Sequence, residues 1–302
     1  MSTIKSLGDE AIVVDSTQRA VQMCLELLGS GEYGFPVVLP VTAPVEVIAA
    51  VLRAGAVPCL LDISTATLNI DPKLFKAALE EFKVGMVSIF CEVPGQPIPG
   101  ELVNMLTPQS VAILYTTATP KKGLDRGPYT FVVNDLRNYI DKGAVIYHGY
   151  SDQLVQLKEA RGGPLGLDAV LPEESAYLLN SRLEHHDPQA NQKHFEQIKD
   201  AFSSTSVGIL WEASLESRQF GIVVPNAERA VKRLRDNFYT ADTLVNPAHL
   251  LPQIAARYKD GASYPNAEAV FNKLITVEVL DYGEVAIKKL VDIIKEEYAQ
   301  DA

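Results

Sequence analysis

The sequence predicts an α/β protein in which a mostly parallel, seven-stranded sheet lies between helices and a smaller C-terminal α+β domain follows. Three features favour this fold. Residues 35–62 contain two apolar strands joined by a helix, a βαβ unit whose strands should run parallel with a right-handed crossover. Apolar segments of strand length recur through the first half of the chain, most of them separated by helical patterns. In the second half helical patterns outnumber strand patterns.

The central βαβ unit is the part of the sequence with the strongest pattern. Residues 36–41 are almost all apolar, which is typical of a strand buried on both faces. The helix over residues 44–53 carries apolar residues at helical spacing and ends before Gly55, a residue that commonly terminates helices. A second buried strand over residues 56–62 completes the unit.

A short apolar strand at residues 11–14 precedes this unit and leads into a helix. The segment Asp15, Ser16 and Thr17 can cap that helix, because short polar side chains accept from its free N–H groups. The same N–H groups can bind phosphate, which makes Ser16 and Thr17 a candidate anion site. Capping is the favoured interpretation, since the Asp15 carboxylate would repel an anion.

The rest of the first half supplies the remaining strands. Asp71 and Pro72 fit the N-cap and first turn of a helix that ends at Phe82. Thr116 and Thr117 begin a polar run directly after one apolar strand. The strands are predicted over residues 85–91, 111–115, 129–133 and 144–148, with a short helix over residues 101–106.

The domain organisation follows from the change in pattern. Residues 1–160 are predicted to form the large domain and residues 161–302 the small α+β domain. Four aromatic residues are expected in the core of the small domain, namely Trp211, Phe220, Phe238 and Tyr239. Helices are predicted over residues 151–163, 172–183, 191–203 and 284–297, and strands over residues 207–213, 219–224 and 275–279.

Composition narrows the classes of partner. The hydrophobic fraction of 47% in 302 residues is enough for a large core. The formal net charge of −11 argues against nucleic acid or an anionic membrane as a partner, because both would repel the protein. The sequence has no apolar leader and no apolar run of membrane-spanning length, so we expect a cytoplasmic protein that binds small molecules or other proteins.

No metal site is expected. The three cysteines lack metal-ligand spacing and are interpreted as buried free thiols, Cys24, Cys59 and Cys91. One histidine-rich segment contains His185, His186, Asp187 and His194. His186 and His194 are too far apart for one helical face, and Pro188 interrupts the helix between them.

Several motifs in order give a resemblance to a known family. The chain contains AAVLRAGAVPCLLDI, then TLNIDP, then GQP after the fourth strand, and later GAVIYHGYSDQLVQLKEARGG. Taken together these motifs resemble the DegT/DnrJ/EryC1/StrS family of sugar aminotransferases. The resemblance implies the fold type I architecture of enzymes dependent on pyridoxal 5'-phosphate (PLP), in a member shortened at its N-terminus.

The resemblance also implies where the catalytic residues would stand, and the residues there are different. Arg137, in VVNDLRN, occupies the position of the Schiff-base lysine, and a guanidinium does not lose the proton that this chemistry requires. Thr116, in YTTATP, occupies the position of the aspartate that keeps the pyridine nitrogen protonated. A hydroxyl is uncharged and cannot stabilise a pyridinium.

Supporting positions of the family pattern differ in the same direction. Thr42 or Pro44 stands where an aromatic ring would stack on the cofactor, and Val132 where a serine would hold its phosphate. The segment 15–17 replaces a Ser-Gly-Thr phosphate loop and adds a negative charge. Asp168 replaces an asparagine that in the family reaches the phosphate of the partner subunit.

These differences predict a non-catalytic member of the family that binds no PLP and instead holds a small anionic ligand or a protein partner. The pocket candidates are Ser16, Thr17, Thr42, Thr116, Val132, Arg137 and Asn138. Two alternatives stay open. Lys142 could serve as a relocated lysine in a PLP-dependent aminotransferase acting on a nucleotide-linked sugar, or the protein could be a regulatory subunit of an active paralogue. A homodimer is expected, because the family site lies between two subunits and residues 35–62 remain apolar.

Overall fold

A computed structural model gives the fold of the chain. It describes residues 7, 11–28, 34–83, 85–93, 97–107, 110–117, 130–136, 140, 142–148, 156, 171–184, 188–203, 205, 207, 209–211, 219–243, 247–255, 263–279 and 282–300. The chain divides into two compact units, Met1–Glu92 with Ile98–His186 and Val93–Pro97 with Asp187–Ala302. The boundary predicted between residues 160 and 161 lies outside the described residues and stays a prediction.

The first unit is built on a seven-stranded sheet, as predicted. Its strands are β1 (Ala11–Val14), β2 (Pro36–Pro40), β3 (Val57–Leu61), β4 (Val87–Cys91), β5 (Val111–Thr116), β6 (Thr130–Asp135) and β7 (Ala144–His148). Their order across the sheet is β1-β7-β6-β5-β4-β2-β3. The pairs from β3 to β6 are parallel, and β7 runs antiparallel to both of its neighbours. The predicted mostly parallel sheet is confirmed.

Two helices of this unit show the terminal residues that the sequence predicted. The carboxylate of Asp71 accepts a hydrogen bond of 2.8 Å from the Lys73 N–H, and Pro72 occupies the first turn. Gly55, just after the second helix, has a φ of +73°, which a residue with a side chain rarely adopts. The helices are α1 (Thr17–Leu28), α2 (Val45–Arg53), α3 (Pro72–Phe82), α4 (Gly100–Asn104) and α5 (Glu173–Glu184).

One apolar core joins the sheet to its helices. The strands β4, β6 and β7 are buried along their whole length, in agreement with their mostly apolar sequences. Phe75 of α3 packs edge-on against Phe90 of β4, with ring centroids 5.1 Å apart. Leu114, Val132 and Leu179 extend this cluster across β5 and β6 to α5.

The second unit is built on a four-stranded antiparallel sheet in the order β10-β11-β9-β8. Its strands are β8 (Ile209–Trp211), β9 (Gln219–Val223), β10 (Ala241–Thr243) and β11 (Leu274–Glu278). Its α-helices are α6 (Pro188–Ser203), α7 (Ala227–Asp236), α8 (Pro252–Ala255), α9 (Pro265–Phe271) and α10 (Glu284–Ala299). Phe195, Phe220, Ile222, Leu290 and Ile294 are among the residues of its core, so this unit has a hydrophobic centre of its own.

A buried carboxylate connects two helices of the second unit. Glu297 of α10 is fully buried, and its two oxygens accept from Arg229 Nε at 2.5 Å and from an Arg233 guanidinium nitrogen at 2.7 Å. Both arginines belong to α7 and keep part of their side chains in solvent. A buried charge is tolerated only when it is paired, and here two guanidinium groups pair it.

Phe238 corrects one sequence-based expectation. Phe220 and Tyr239 lie in the core as predicted, but Phe238 is 95% exposed. It follows the end of α7 with a φ of +68°, and the Tyr239 N–H bonds back to the Leu234 carbonyl at 3.0 Å. This left-handed turn directs Phe238 outward and Tyr239 inward. The side chain of Trp211 lies outside the described part of the chain.

The cysteines follow the prediction only in part. Cys24 and Cys91 are buried free thiols, but Cys59 on β3 is only half-buried. The strand β3 forms one edge of the sheet, so it has a neighbour on one side only. The helix predicted over residues 151–163 lies almost entirely outside the described residues.

Within the described ranges, no helix is both long and apolar enough to cross a membrane.

Candidate functional site

Four of the predicted site residues, Ser16, Thr17, Thr42 and Thr116, lie at one edge of the large sheet. The parallel strands β2 to β6 end at this edge, which we call the carboxyl edge. Val14, the last residue of β1, pairs with Ala144, and Ala144 pairs with Asp135 at the end of β6. The N-terminus of α1 therefore lies at the same edge. Open parallel sheets bind ligands at this edge, because the loops there leave a crevice.

Thr116 forms the central contact of the edge. Thr116 is buried at the end of β5, and its hydroxyl donates a hydrogen bond to the carboxylate of Glu92. Glu92 directly follows β4, and its N–H donates to the Tyr115 carbonyl at 2.8 Å, so the pairing of the two strands continues through this residue. The Glu92 side chain is half-buried. The hydroxyl that the resemblance assigns to the position of the family aspartate is therefore bonded to a carboxylate that follows the neighbouring strand.

Sequence analysis missed Glu92. The sequence contained one signal. Glu92 is an acidic residue directly after an apolar strand, and Thr116 stands at the corresponding place on the next strand. The contact requires the register in which Cys91 pairs with Tyr115. A single sequence does not give that register.

Two further polar residues end β6 beside Thr116. Asn134 pairs with Thr116 across the strands, so the two side chains lie on the same face of the sheet. Asp135 lies on the opposite face, where its carboxylate accepts a hydrogen bond of 2.9 Å from the Tyr115 hydroxyl. Asn134 and Asp135 are both buried. Both faces of β5 and β6 are thus polar at the carboxyl edge.

The start of α1 is a capped helix terminus. The Ser16 hydroxyl accepts from the Arg19 N–H at 3.4 Å and donates to the Asp15 carboxylate at 3.1 Å. The predicted capping role of Ser16 is therefore confirmed. Thr17, the first residue of the helix, is buried. The anion-binding role of both residues stays a prediction.

The remaining candidates are placed differently. Thr42 is buried just after β2, at the carboxyl edge. Val132 lies within β6, in the apolar core with Leu114 and Leu136. Arg137, Asn138 and Asp168 lie outside the described residues, although β6 ends two residues before Arg137. Lys142 is exposed, next to the Gly143 carbonyl that accepts from the Leu136 N–H at 3.0 Å.

Cys91 is the nearest thiol to the Thr116 contact. It is buried at the end of β4, and desolvation by burial raises its pKa above the ordinary thiol range. The thiol is therefore protonated at neutral pH, and a protonated thiol is a poor nucleophile. Cys91 is a packing residue at this edge.

No metal cluster emerges from the part of the chain that the structure describes. His194 lies on α6, whereas His185, His186 and Asp187 lie outside the described residues. The helix α6 begins at Pro188, in agreement with the interruption predicted there.

A cavity of about 660 Å³ lies on the second unit. It is lined by α6 and α10, with Tyr282 and Val291 among its apolar residues and Lys288 and Asp292 among its charged ones. None of the predicted site residues that the structure describes lines it.

Known proteins identify the fold. The putative sugar aminotransferase Spr1654 from Streptococcus pneumoniae, in its PMP form, has a TM-score of 0.76 at 15% identity, over 97% of this chain and 88% of that one. DesV from S. venezuelae, in complex with a ketimine intermediate, has a TM-score of 0.77 at 16% identity, over 97% and 86%. A 3-amino-5-hydroxybenzoic acid synthase has a TM-score of 0.75 at 17% identity, over 96% and 86%. The fold is that of the PLP-dependent aminotransferases.

The family resemblance rests on the sequence itself. The model of the DegT/DnrJ/EryC1/StrS aminotransferase family matches residues 6–106. The chain resembles this family, as its motifs predicted. No curated protein matches the sequence.

The resemblance places Thr116 beside the pyridine nitrogen of PLP, the cofactor of the family, and a pyridine ring bound there would need an acid beside its nitrogen. Thr116 is uncharged, and its hydroxyl donates its proton to Glu92. Thr116 itself therefore does not fit the ring nitrogen, and the carboxylate in contact with it is that of Glu92.

Proposed function

We propose that this protein is a non-catalytic member of the DegT-like aminotransferases that binds a small anionic molecule at the carboxyl edge instead of PLP. The observation that carries the proposal is the hydrogen bond from Thr116 to Glu92. At the position that the resemblance gives to the family aspartate the chain has an uncharged hydroxyl, and the adjoining carboxylate of Glu92 already accepts a hydrogen bond from it. Without that acid, PLP cannot act as an electron sink.

Arg137 supports the same proposal from the sequence. It stands at the position of the Schiff-base lysine and follows β6 by two residues. A guanidinium stays charged at any physiological pH and binds carboxylate or phosphate through two parallel hydrogen bonds. Arg137 and Asn138 would hold the anion from the end of β6, and Ser16, Thr17 and Thr42 follow β1 and β2 at the same edge of the sheet.

The second candidate function is an active aminotransferase with a relocated lysine. Lys142 favours it, because this residue precedes β7 by two positions and so lies near the carboxyl edge. Its exposure is typical of a solvated lysine, which makes this function the weaker candidate. Its substrate would then be a nucleotide-linked sugar.

A second copy of the chain is the proposed protein partner. Val45 at the start of α2 and Val57 at the start of β3 are each 49% exposed within the apolar segment 35–62. Apolar surface of this kind is typical of subunit interfaces. Sedimentation equilibrium should return twice the chain mass of 33.0 kDa, and the single mass at micromolar concentration would contradict the dimer. A cytoplasmic location stays a prediction.

Absorbance and borohydride trapping test the absence of PLP. We expect the purified protein to show no visible absorbance band, no borohydride-trapped cofactor and no half-reaction with glutamate. The variant Arg137→Lys should behave in the same way, since Thr116 still supplies no acid. The double variant Arg137→Lys/Thr116→Asp has both a lysine and an acid. Any absorbance band or half-reaction that it gains measures how much of the missing PLP chemistry these two positions explain. A wild-type band that disappears in Lys142→Ala would overturn the proposal in favour of the relocated lysine.

A further inference from the structure

The cavity on the second unit is a groove between α6 and α10. Its lining includes two buried side chains of α10, Ile287 and Val291, and the half-buried Ala201 of α6. Its charged lining residues are all exposed, among them Asp200 of α6. An apolar centre with a charged, exposed rim is typical of contacts between proteins, whereas pockets for small molecules are mostly apolar. The groove therefore fits a protein surface better than a small molecule.

Four of these exposed charged residues form a row along α10, which we call the α10 stripe. Its members are Glu284, Lys288, Asp292 and Lys295. Residues three or four positions apart lie on the same face of a helix, so the sign of the charge alternates along this face. Neighbours at this spacing often form ion pairs within a helix, but none of the four pairs with any residue in the part of the chain that the structure describes. A second surface can therefore bind all four charges.

The order of charges in the α10 stripe is complementary to the same stripe read in reverse. When two α10 helices pack antiparallel, Glu284 faces the partner's Lys295. In the same arrangement Lys288 faces the partner's Asp292, and a two-fold axis between the helices forms each pair twice. Parallel helices in register would instead place like charges opposite each other, which is unfavourable. The pattern therefore favours a second copy of this chain, in antiparallel orientation.

We propose that the groove and the α10 stripe form an interface between two copies of this chain, in which α10 packs antiparallel against α10 of the partner. This interface is separate from the apolar segment 35–62 and does not depend on the dimer proposed there. The helix α10 has 16 residues and is about 24 Å long, so the contact lies at the small end of specific interfaces, below about 1,200 Å². Association through it is weak and sensitive to salt, because its ion pairs are exposed.

Sedimentation velocity over a range of concentrations tests the interface. In about 0.1 M salt, which largely screens the repulsion from the net charge of −11, the mass should double between about 1 µM and about 300 µM protein. The doubling is expected whether the species at the lower concentration is a monomer or the proposed dimer. About 1 M salt should reverse it, because the contact pairs are then screened as well.

Lys288→Glu should weaken this association about tenfold, because it turns two attractive pairs into repulsive ones across the two-fold axis. The matched control is Lys289→Glu. Lys289 is also exposed on α10 but does not line the groove, so the control changes the net charge equally and should have little effect. Equal weakening by the two variants would overturn the inference, since net charge would then explain the loss.

A mixture of two variants tests whether the occupant of the groove is a second copy. Lys288→Glu leaves acids at both central positions and Asp292→Lys leaves lysines at both, so neither should associate with itself, whereas their mixture should associate. The double variant Lys288→Glu/Asp292→Lys should also recover association, and the mixture remains informative if the double variant fails to fold. A wild type whose mass does not double, or a mixture that does not associate, would overturn the inference. Neither result affects the dimer proposed through segment 35–62, which is measured at micromolar concentration.

Discussion

The Tyr115 hydroxyl donates a hydrogen bond of 2.9 Å to the Asp135 carboxylate, and both side chains are almost completely buried. The bond connects β5 to β6 on the face of the sheet opposite to Thr116. When a buried carboxylate loses a hydrogen-bond donor, most of the free-energy cost of removing it from water is no longer compensated. The carboxyl edge is therefore held together by buried polar contacts on both faces.

Tyr115→Phe should lower the free energy of unfolding by about 1–3 kcal/mol, because it removes a donor from a buried carboxylate. The matched control is Tyr147→Phe on β7. Tyr147 is also buried, and no residue that the structure describes hydrogen-bonds to its hydroxyl. Removing that hydroxyl should leave stability unchanged or slightly higher. Urea unfolding measures the free energy of unfolding of both variants. Equal losses of stability would contradict a stabilising role for the hydrogen bond from Tyr115 to Asp135.

Arg229→Ala should destabilise the second unit by about 1–3 kcal/mol, since Glu297 would stay buried with one guanidinium instead of two. Arg235 lies on the same helix, and its bridge to Asp242 is exposed on both sides. Arg235→Ala should therefore cost less than about 1 kcal/mol. Urea unfolding measures the free energy of unfolding of both variants. A larger loss of stability in Arg235→Ala than in Arg229→Ala would show that the burial of the ion pair does not determine the cost of removing its arginine.

Cys59 should be the one cysteine of the three that a thiol reagent labels in the native protein. Desolvation by burial raises the pKa of Cys59, and the nearby Glu81 raises it further, so the labelling rate should rise with pH and continue rising above the ordinary thiol range. Burial raises the pKa of Cys24 and Cys91 as well, and both are inaccessible. Mass spectrometry after alkylation measures the sites. Native Cys59→Ser should remain unlabelled, and in denaturant every cysteine should react.

Phe238→Gly should raise the free energy of unfolding by up to about 1 kcal/mol, because glycine adopts a positive φ without the steric cost that a side chain pays. The side chain that is lost is 95% exposed and contributes little packing. Phe238→Ala removes the ring but keeps a Cβ, so it should show little of the gain. A destabilised glycine variant would indicate that the ring is buried in an assembly of chains.

The sequence predicted the strands of the first unit because each is mostly apolar over strand length. β1 and β7 match their predicted bounds, and β5 and β6 differ by one or two residues at their ends. β10 was not predicted, since Ala241–Thr243 is short and contains a charged residue. The helix α7 was also missed, although Asn226 caps it and accepts from the Arg229 N–H at 2.9 Å.

The candidate site was predicted less completely than the fold. The resemblance indicated Thr116 because a motif surrounds it. Glu92 becomes part of the site only through the pairing of β4 with β5, and this pairing is a tertiary relationship. The exposure of Phe238 depends on its positive φ. The sequence does not predict this backbone conformation, because bulky residues rarely adopt it.

The pairing of β1 with β7 affects how the protein folds while it is being synthesised. β1 leaves the ribosome before the other six strands, but β7, its neighbour in the sheet that the structure describes, is the last of the seven to be synthesised. Closing so long a loop is entropically costly and slow. A nascent chain released before residue 148 would therefore carry an apolar N-terminal strand without its partner, and such strands are sites of aggregation.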